Sequence, residues 1–160
     1  MTTMYEAQKA LIAEVKGRIL ALAPEYEEQI RFTVRDDVDR AIADMDEDTG
    51  LPRVFEIGEG RYDKATLIGA GTRGLRFIHQ ISIWYPVDET WSMGMMSDFE
   101  LIRYDLINNA TSVSGVQQRH LDPTAETIVE KDDEDPWQRL IMDMVVYYEI
   151  TNAANPQELV

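Results

Sequence analysis

The sequence predicts an α+β domain, a mainly antiparallel β-sheet with helices packed on one face. Three observations predict it. Two long runs, Leu75 to Tyr85 and Leu140 to Ile150, alternate apolar residues with the period of a strand. Two other stretches repeat apolar residues at three and four, the period of a helix. The strands after the mid-chain helix follow one another closely, which favours antiparallel hairpins over crossovers. Helices on one side of such a sheet are the natural layer arrangement.

The elements follow in order. Thr3 to Leu22 reads as an amphipathic helix, with Thr3 and Glu6 at capping-box spacing. Ala7, Leu11, Val15, Ile19 and Leu22 form its stripe, and Pro24 closes it. Ile30, Phe32 and Val34 alternate with polar residues as a strand does, while Tyr26, Ile30, Val34 and Val38 sit at helical steps. The strand is preferred there. Val38, Ala41, Ile42 and Met45 make a short helix from about Asp36. Asp44 to Pro52 is an acidic loop, Val54 to Ile57 a strand, and Arg61 to Gly74 a long glycine-rich connection.

After the strand that ends at Pro86, Val87 to Met96 reads as a loop carrying Trp91, Met93, Met95 and Met96. Such residues suit an adaptable contact surface, and folding back onto the core accounts for them equally well. Ser97 and Glu100 form a second capping box, opening a helix to Asn109 with Phe99, Ile102, Leu106 and Ile107 buried. Val116 to Leu121 and Glu126 to Glu130 read as two short strands joined near Asp122 and Pro123. An acidic turn, Lys131 to Pro136, leads to the last strand, and residues 152–160 form a tail after a single domain spanning 1–151.

The two long strands are not cleanly amphipathic. Leu75, Phe77, Ile81, Ile83 and Tyr85 line one face of the first, but Ile78 and Trp84 lie on the other. In the second, Ile141, Val145 and Tyr147 oppose the Leu140, Met142, Met144, Val146 and Tyr148 face. Large apolar groups on both sides predict that the second face is also covered, by helices or by another copy of the chain.

Composition narrows the function classes. The 160 residues carry 30 acidic and 15 basic side chains, a net charge of −15. Such a surface repels phosphate and anionic lipid, so tight DNA binding, which depends on neutralising phosphates, is disfavoured. The charge serves solubility, or it lines a passage through which a duplex slides without being gripped. There is no cysteine, which excludes disulfides, thiolate metal sites and cysteine nucleophiles. No signal-peptide pattern opens the chain, and no apolar run reaches the roughly 20 residues of a membrane helix.

Motifs with enzymatic overtones dissolve on inspection. Gly69, Gly71 and Gly74 match a dinucleotide-binding fingerprint, with Asp88 and Glu89 near the ribose-binding distance. That mechanism needs a helix at Gly74 to receive the pyrophosphate, yet the following residues alternate as a strand. Asp44, Asp46, Asp48, Gly50 and Glu56 resemble a calcium loop, but glycine and glutamate each fall one place late. His79 and His120 have no partner at ligand spacing, and His79 reads as a hydrogen-bonded core histidine. Ser112 and Ser114 lack a nucleophile elbow. No catalytic residue, cofactor or metal is expected.

The order of elements resembles the tail-terminator and neck proteins of long-tailed bacteriophages. The likeness runs through the N-terminal helix, Leu51 to Ile57, Leu75 to Tyr85, the helix Ser97 to Asn109, and Trp137 to Ile150. It is a likeness of element order and hydrophobic pattern, and Asp36 to Gly50 is longer and more acidic than it leads one to expect. The resemblance implies a structural virion protein: a homo-oligomeric, commonly hexameric ring at the head–tail junction. Assembled in the host cytoplasm, the ring caps the tail tube, meets the tail tube protein and the head–tail connector protein, and passes DNA as cargo through its lumen. A head-side connector or stopper of the same neck is the nearest alternative. An acidic inhibitor that mimics DNA is the rival from another class, and a nucleotide-dependent enzyme is the third. The expected interface residues are Trp84, Trp91, Met93, Met95, Met96, Ile141, Val145 and Tyr147. A charge introduced at Val145 or Tyr147 is expected to block assembly and spare the fold.

Overall fold

The computed structural model describes residues 3–35, 52–67, 73–87, 89–130 and 137–149. Among the described residues, two helices, α1 (Met4–Ala21) and α2 (Glu89–Asn108), accompany six strands: β1 (Thr33–Val34), β2 (Val54–Ile57), β3 (Arg61–Leu67), β4 (Arg73–Pro86), β5 (Val116–Glu130) and β6 (Trp137–Glu149). The sheet order is β1-β2-β4-β6-β5, with β3 also paired to β4. Only β1 and β2 run parallel. This is the expected α+β architecture.

The spine is the β4–β6 pair, in register from Gly74 opposite Glu149 to Pro86 opposite Trp137. Because side chains alternate, the register fixes two faces. One carries Ile81, Ile83, Tyr85, Leu140, Met142, Met144, Val146 and Tyr148. These join Leu11, Val15 and Ile19 of α1 and Trp91, Phe99, Ile102 and Leu106 of α2 in one core. Both helices therefore pack on the same face of the sheet.

On the other side of β4, β2 and β3 lie end to end. Residues of β2 face Ile81 to Trp84, and those of β3 face Arg73 to Ile78. Between them Gly58 donates its N–H to the Gln80 carbonyl. Gly60 lies so close to His79 and Phe77 that a Cβ there would stand 2.7 Å from the imidazole, so only glycine fits.

Helix α1 follows its sequence signals. Thr3 and Glu6 form the reciprocal capping box, each side chain accepting from the other's backbone N–H at 3.1 Å. The helix ends at Ala21, with Leu22 as its C-cap.

Four elements depart from expectation. The helix expected at Ser97 begins at Glu89 instead. Trp91, Met95, Phe99, Ile102 and Leu106 are a single buried stripe, and burying Trp91 and Met95 carries the helix two turns past the capping-box signal. The connection Arg61 to Gly74 contains β3, an edge strand whose residues 61–65 are all exposed and so lack the apolar alternation of a half-buried strand. The two short strands after residue 116 are one strand, β5, with a register shift between Leu121 and Ala125. Asp122 shapes that bulge by accepting from the Thr124 N–H at 2.9 Å and hydroxyl at 2.6 Å. The strand expected over Ile30 to Val34 shrinks to Thr33–Val34, because Ile30 donates to the Glu27 carbonyl in a turn. The expected helix from Asp36, the acidic loop up to Leu51, Gly69, Gly71, the turn Lys131 to Pro136 and the tail 152–160 lie outside the described residues.

Candidate interaction surfaces

The buried polar groups come first, because they decide what chemistry the fold retains. Arg53 is fully buried, at a backbone φ of +66°. Its Nε and Nη2 grip Asp98 of α2 at 2.7 and 3.1 Å. Its Nη1 donates to the carbonyls of Glu27 and Ile30, and its Nη2 also to that of Tyr26. A guanidinium has five N–H donors, and all five are engaged. The Tyr85 hydroxyl donates to the same carboxylate at 2.7 Å, and the Trp91 ring lies 5.1 Å from the guanidinium. Burial pushes the Asp98 carboxyl up against the opposing pull of Arg53 and Tyr85, and it pushes the Tyr85 phenol well up. This cluster ties the 26–30 turn, β2, β4 and α2 together.

Two smaller networks do similar work. The His79 ring lies between the Gly58 carbonyl, 3.0 Å from Nδ1, and the Tyr148 hydroxyl, 2.7 Å from Nε2. A carbonyl only accepts, so Nδ1 carries the proton and Nε2 accepts from Tyr148. Burial lowers the His79 pKa and raises that of Tyr148. The expected core histidine is thus found. Glu14 of α1 accepts from Arg119 Nε at 2.8 Å, from the Thr111 hydroxyl and from the Ser112 N–H. Arg18 and Asp105 join the two helices through two hydrogen bonds, at 2.8 and 3.1 Å.

These groups are spent on cohesion. Gly74 leads into strand β4 where a nucleotide-binding loop needs a helix, so the dinucleotide fingerprint lacks its structural context. Among the described residues, no three His, Asp or Glu side chains are placed to hold a metal. No described helix is long and apolar enough to cross a membrane.

The expected contact residues separate into three sets. Trp91 and Met95 are core residues on the inward face of α2, which corrects their assignment to a contact loop. Met93 and Met96 project from the same helix and are 79% and 55% exposed. Trp84, Ile141, Val145 and Tyr147 share the sheet face away from the helices, but the first three are buried within the chain, and Val145 is 2% exposed. Arg35 and Arg139 lie over the Trp84 ring at 4.9 and 5.7 Å, and His120 stacks on Tyr147 at 6.2 Å. Long neighbouring side chains supply much of the cover expected from helices or a second copy.

Among the described residues, two surfaces remain available. The first is the outer face of α2, where Tyr104 and Ile107, 72% and 55% exposed, continue the line of Met93 and Met96. The exposure of Ile107 corrects its expected place in the buried stripe. The second is the pair of open sheet edges. At one edge, β3 exposes Arg61 and Lys64, while Asp63 is paired with Arg76. β3, the basic arm, holds two basic side chains against one acidic. At the opposite edge, β5 holds three acidic side chains against one basic, and Arg119 there turns inward to Glu14. One sheet thus ends in a basic arm on one side and an acidic strand on the other.

Compared with protein-family models and with curated proteins, the chain matches none.

Proposed function

We propose that this chain is a non-enzymatic structural subunit that closes into a ring at the head–tail junction of a long-tailed phage. There it caps the tail tube and lets DNA pass. The observation that carries the reading is the opposite charge of the two open sheet edges. An edge strand is a ready template for another strand. When donor and acceptor edges differ, the contact is heterologous and forms a ring where its rotation closes. The basic arm of one copy faces the acidic β5 of the next, and the phage resemblance supplies the expected count of six. A net charge of −15 suits a lumen that must not grip phosphate.

The test is negative-stain imaging of the purified chain at micromolar concentration, beside a variant carrying Arg61→Glu and Lys64→Glu. Rings in the wild type, lost in the variant and weakened by salt, support the reading. Labelled protein at the neck of phage particles would place the ring. A monomer that instead captures a DNA-binding enzyme would replace this reading with the DNA-mimic one.

A further inference from the structure

Each of the two helices buries one stripe against the same sheet face, so their outer surfaces both turn away from the sheet. We propose that this helix layer is a second self-association surface, on which two copies meet face to face about a two-fold axis. The contact is distinct from the sheet edges and stands without them.

The first half of the contact is α2. A helix apolar on two sides is ordinarily a buried helix. Inward it presents Trp91, Met95, Phe99, Ile102 and Leu106. Outward, Met93, Met96, Tyr104 and Ile107 follow at steps of three, eight and three, which places them in one line along the axis. Single exposed apolar residues are ordinary, but four large ones in a row form a patch.

The second half is α1. Opposite its buried stripe, Ala13, Gly17 and Leu20 floor a shallow depression of about 450 Å³, with Lys9 and Lys16 at its rim. A Cβ built on Gly17 meets nothing within 4 Å. The floor is low at Ala13 and Gly17, between the larger Ile12 and Leu20, and a ridge of methionine and tyrosine fits that gap. Charge favours the same match. Glu100 sits in the α2 line, beside a depression of about 440 Å³ that Glu25 and one base, Arg103, also border. Two chains of net charge −15 repel wherever acid meets acid, and the α1 rim is a basic place for Glu100 to land. Because one copy carries both halves, a two-fold operation brings α2 over the partner's α1 and the reverse. Such a contact is isologous and closes at two.

The absence of cysteine makes the test clean. A chain carrying Gly17→Cys with Tyr104→Cys should oxidise to a doubly bridged dimer, while either change alone should give none. Native mass spectrometry of the wild type should show masses that are even multiples of the chain. Gly17→Gln, which fills the floor and replaces glycine by a better helix former, should raise the pair's dissociation constant at least tenfold while the thermal melt of the dilute chain is not lowered. Arg61→Glu with Lys64→Glu should abolish rings and leave the pair intact. Pairs without rings would sink the ring reading alone. Odd-numbered rings unaffected by Gly17→Gln, with no bridged dimer from the double-cysteine chain, would overturn this proposal alone.

Discussion

The far face of the sheet and the outer face of α2 both carry large apolar side chains, and only one of them is open. On the sheet, Trp84 is flanked by two guanidinium groups, and Val145 sits in register between Ile78 and His120. On the helix, Met93 and Tyr104 stand 79% and 72% exposed. The difference is geometric. Strands bring side chains on one face to within about 5 Å of a cross-strand neighbour, so a long arginine or tyrosine shelters the aliphatic residue beside it. A convex helix spreads its outer side chains apart, and Met93, Met96, Tyr104 and Ile107 stay exposed. Apolar character decides what can be buried, and the lengths of the neighbours decide what is.

The sharpest way to break that comparison is a charge placed on each side. Val145→Glu puts a carboxylate into a covered site and should cost several kcal/mol, on the order of 3 or more, seen as loss of the cooperative urea transition near neutral pH. This reverses the sequence-based expectation that such a change spares the fold. Tyr104→Glu should stay within about 0.5 kcal/mol of wild type. A Val145→Glu chain as stable as wild type would show that the far face is open after all.

Within α2 the contrast narrows to two residues of the same turn. Trp91→Ala should cost about 3–5 kcal/mol, and Met93→Ala about 0.5 or less, both read from urea midpoints. The buried ion pair gives a comparable effect. Arg53→Met leaves Asp98 without its partner and should cost about 3–5 kcal/mol, whereas removing the half-exposed Arg35–Glu56 pair should cost under about 1. Gly94→Ala drives a methyl to 2.6 Å from the Tyr26 ring and should cost about 1–3 kcal/mol.

A more gradual effect is a pH slope. The folded pKa of His79 is lowered by burial, and that of His120 by burial and by Arg76. A lowered histidine pKa stabilises the fold above the unfolded value of about 6.5. That stability is lost as pH falls, because the unfolded chain takes the proton first. Between about pH 7 and 5.5, stability should drop by at most about 1.4 kcal/mol per unit for each histidine. His79→Gln should flatten the slope, as measured by urea titrations across that range.

Much of the scaffold was legible because its signals are local. The capping box of Thr3 and Glu6, the alternation in β4 and β6, and the core position of His79 each need only a few adjacent residues. Edge strand β3 was not legible, since exposed charged residues erase the alternation that marks a strand. The break assigned near Pro123 was a bulge, because proline and an Asp–Thr turn look the same in a bulged strand as in a loop. The first two turns of α2 were hidden by Gly94 and by a capping-box pattern at Ser97 that the fold does not use. The Arg53–Asp98–Tyr85 cluster joins residues 45 and 13 positions apart, and no periodicity announces it. Its one trace is an arginine beside the apolar Val54 and Phe55, where a solvated charge is out of place.

Oxidative footprinting of the methionines of α2 tests the account most directly, since peroxide converts accessible methionine to its sulfoxide. Met95 should stay protected at every protein concentration. Met93 and Met96 should oxidise quickly when the chain is dilute and become protected as it is concentrated into the micromolar range. Rates for Met93 and Met96 that do not change with concentration would contradict the claim that this helix face is where copies meet.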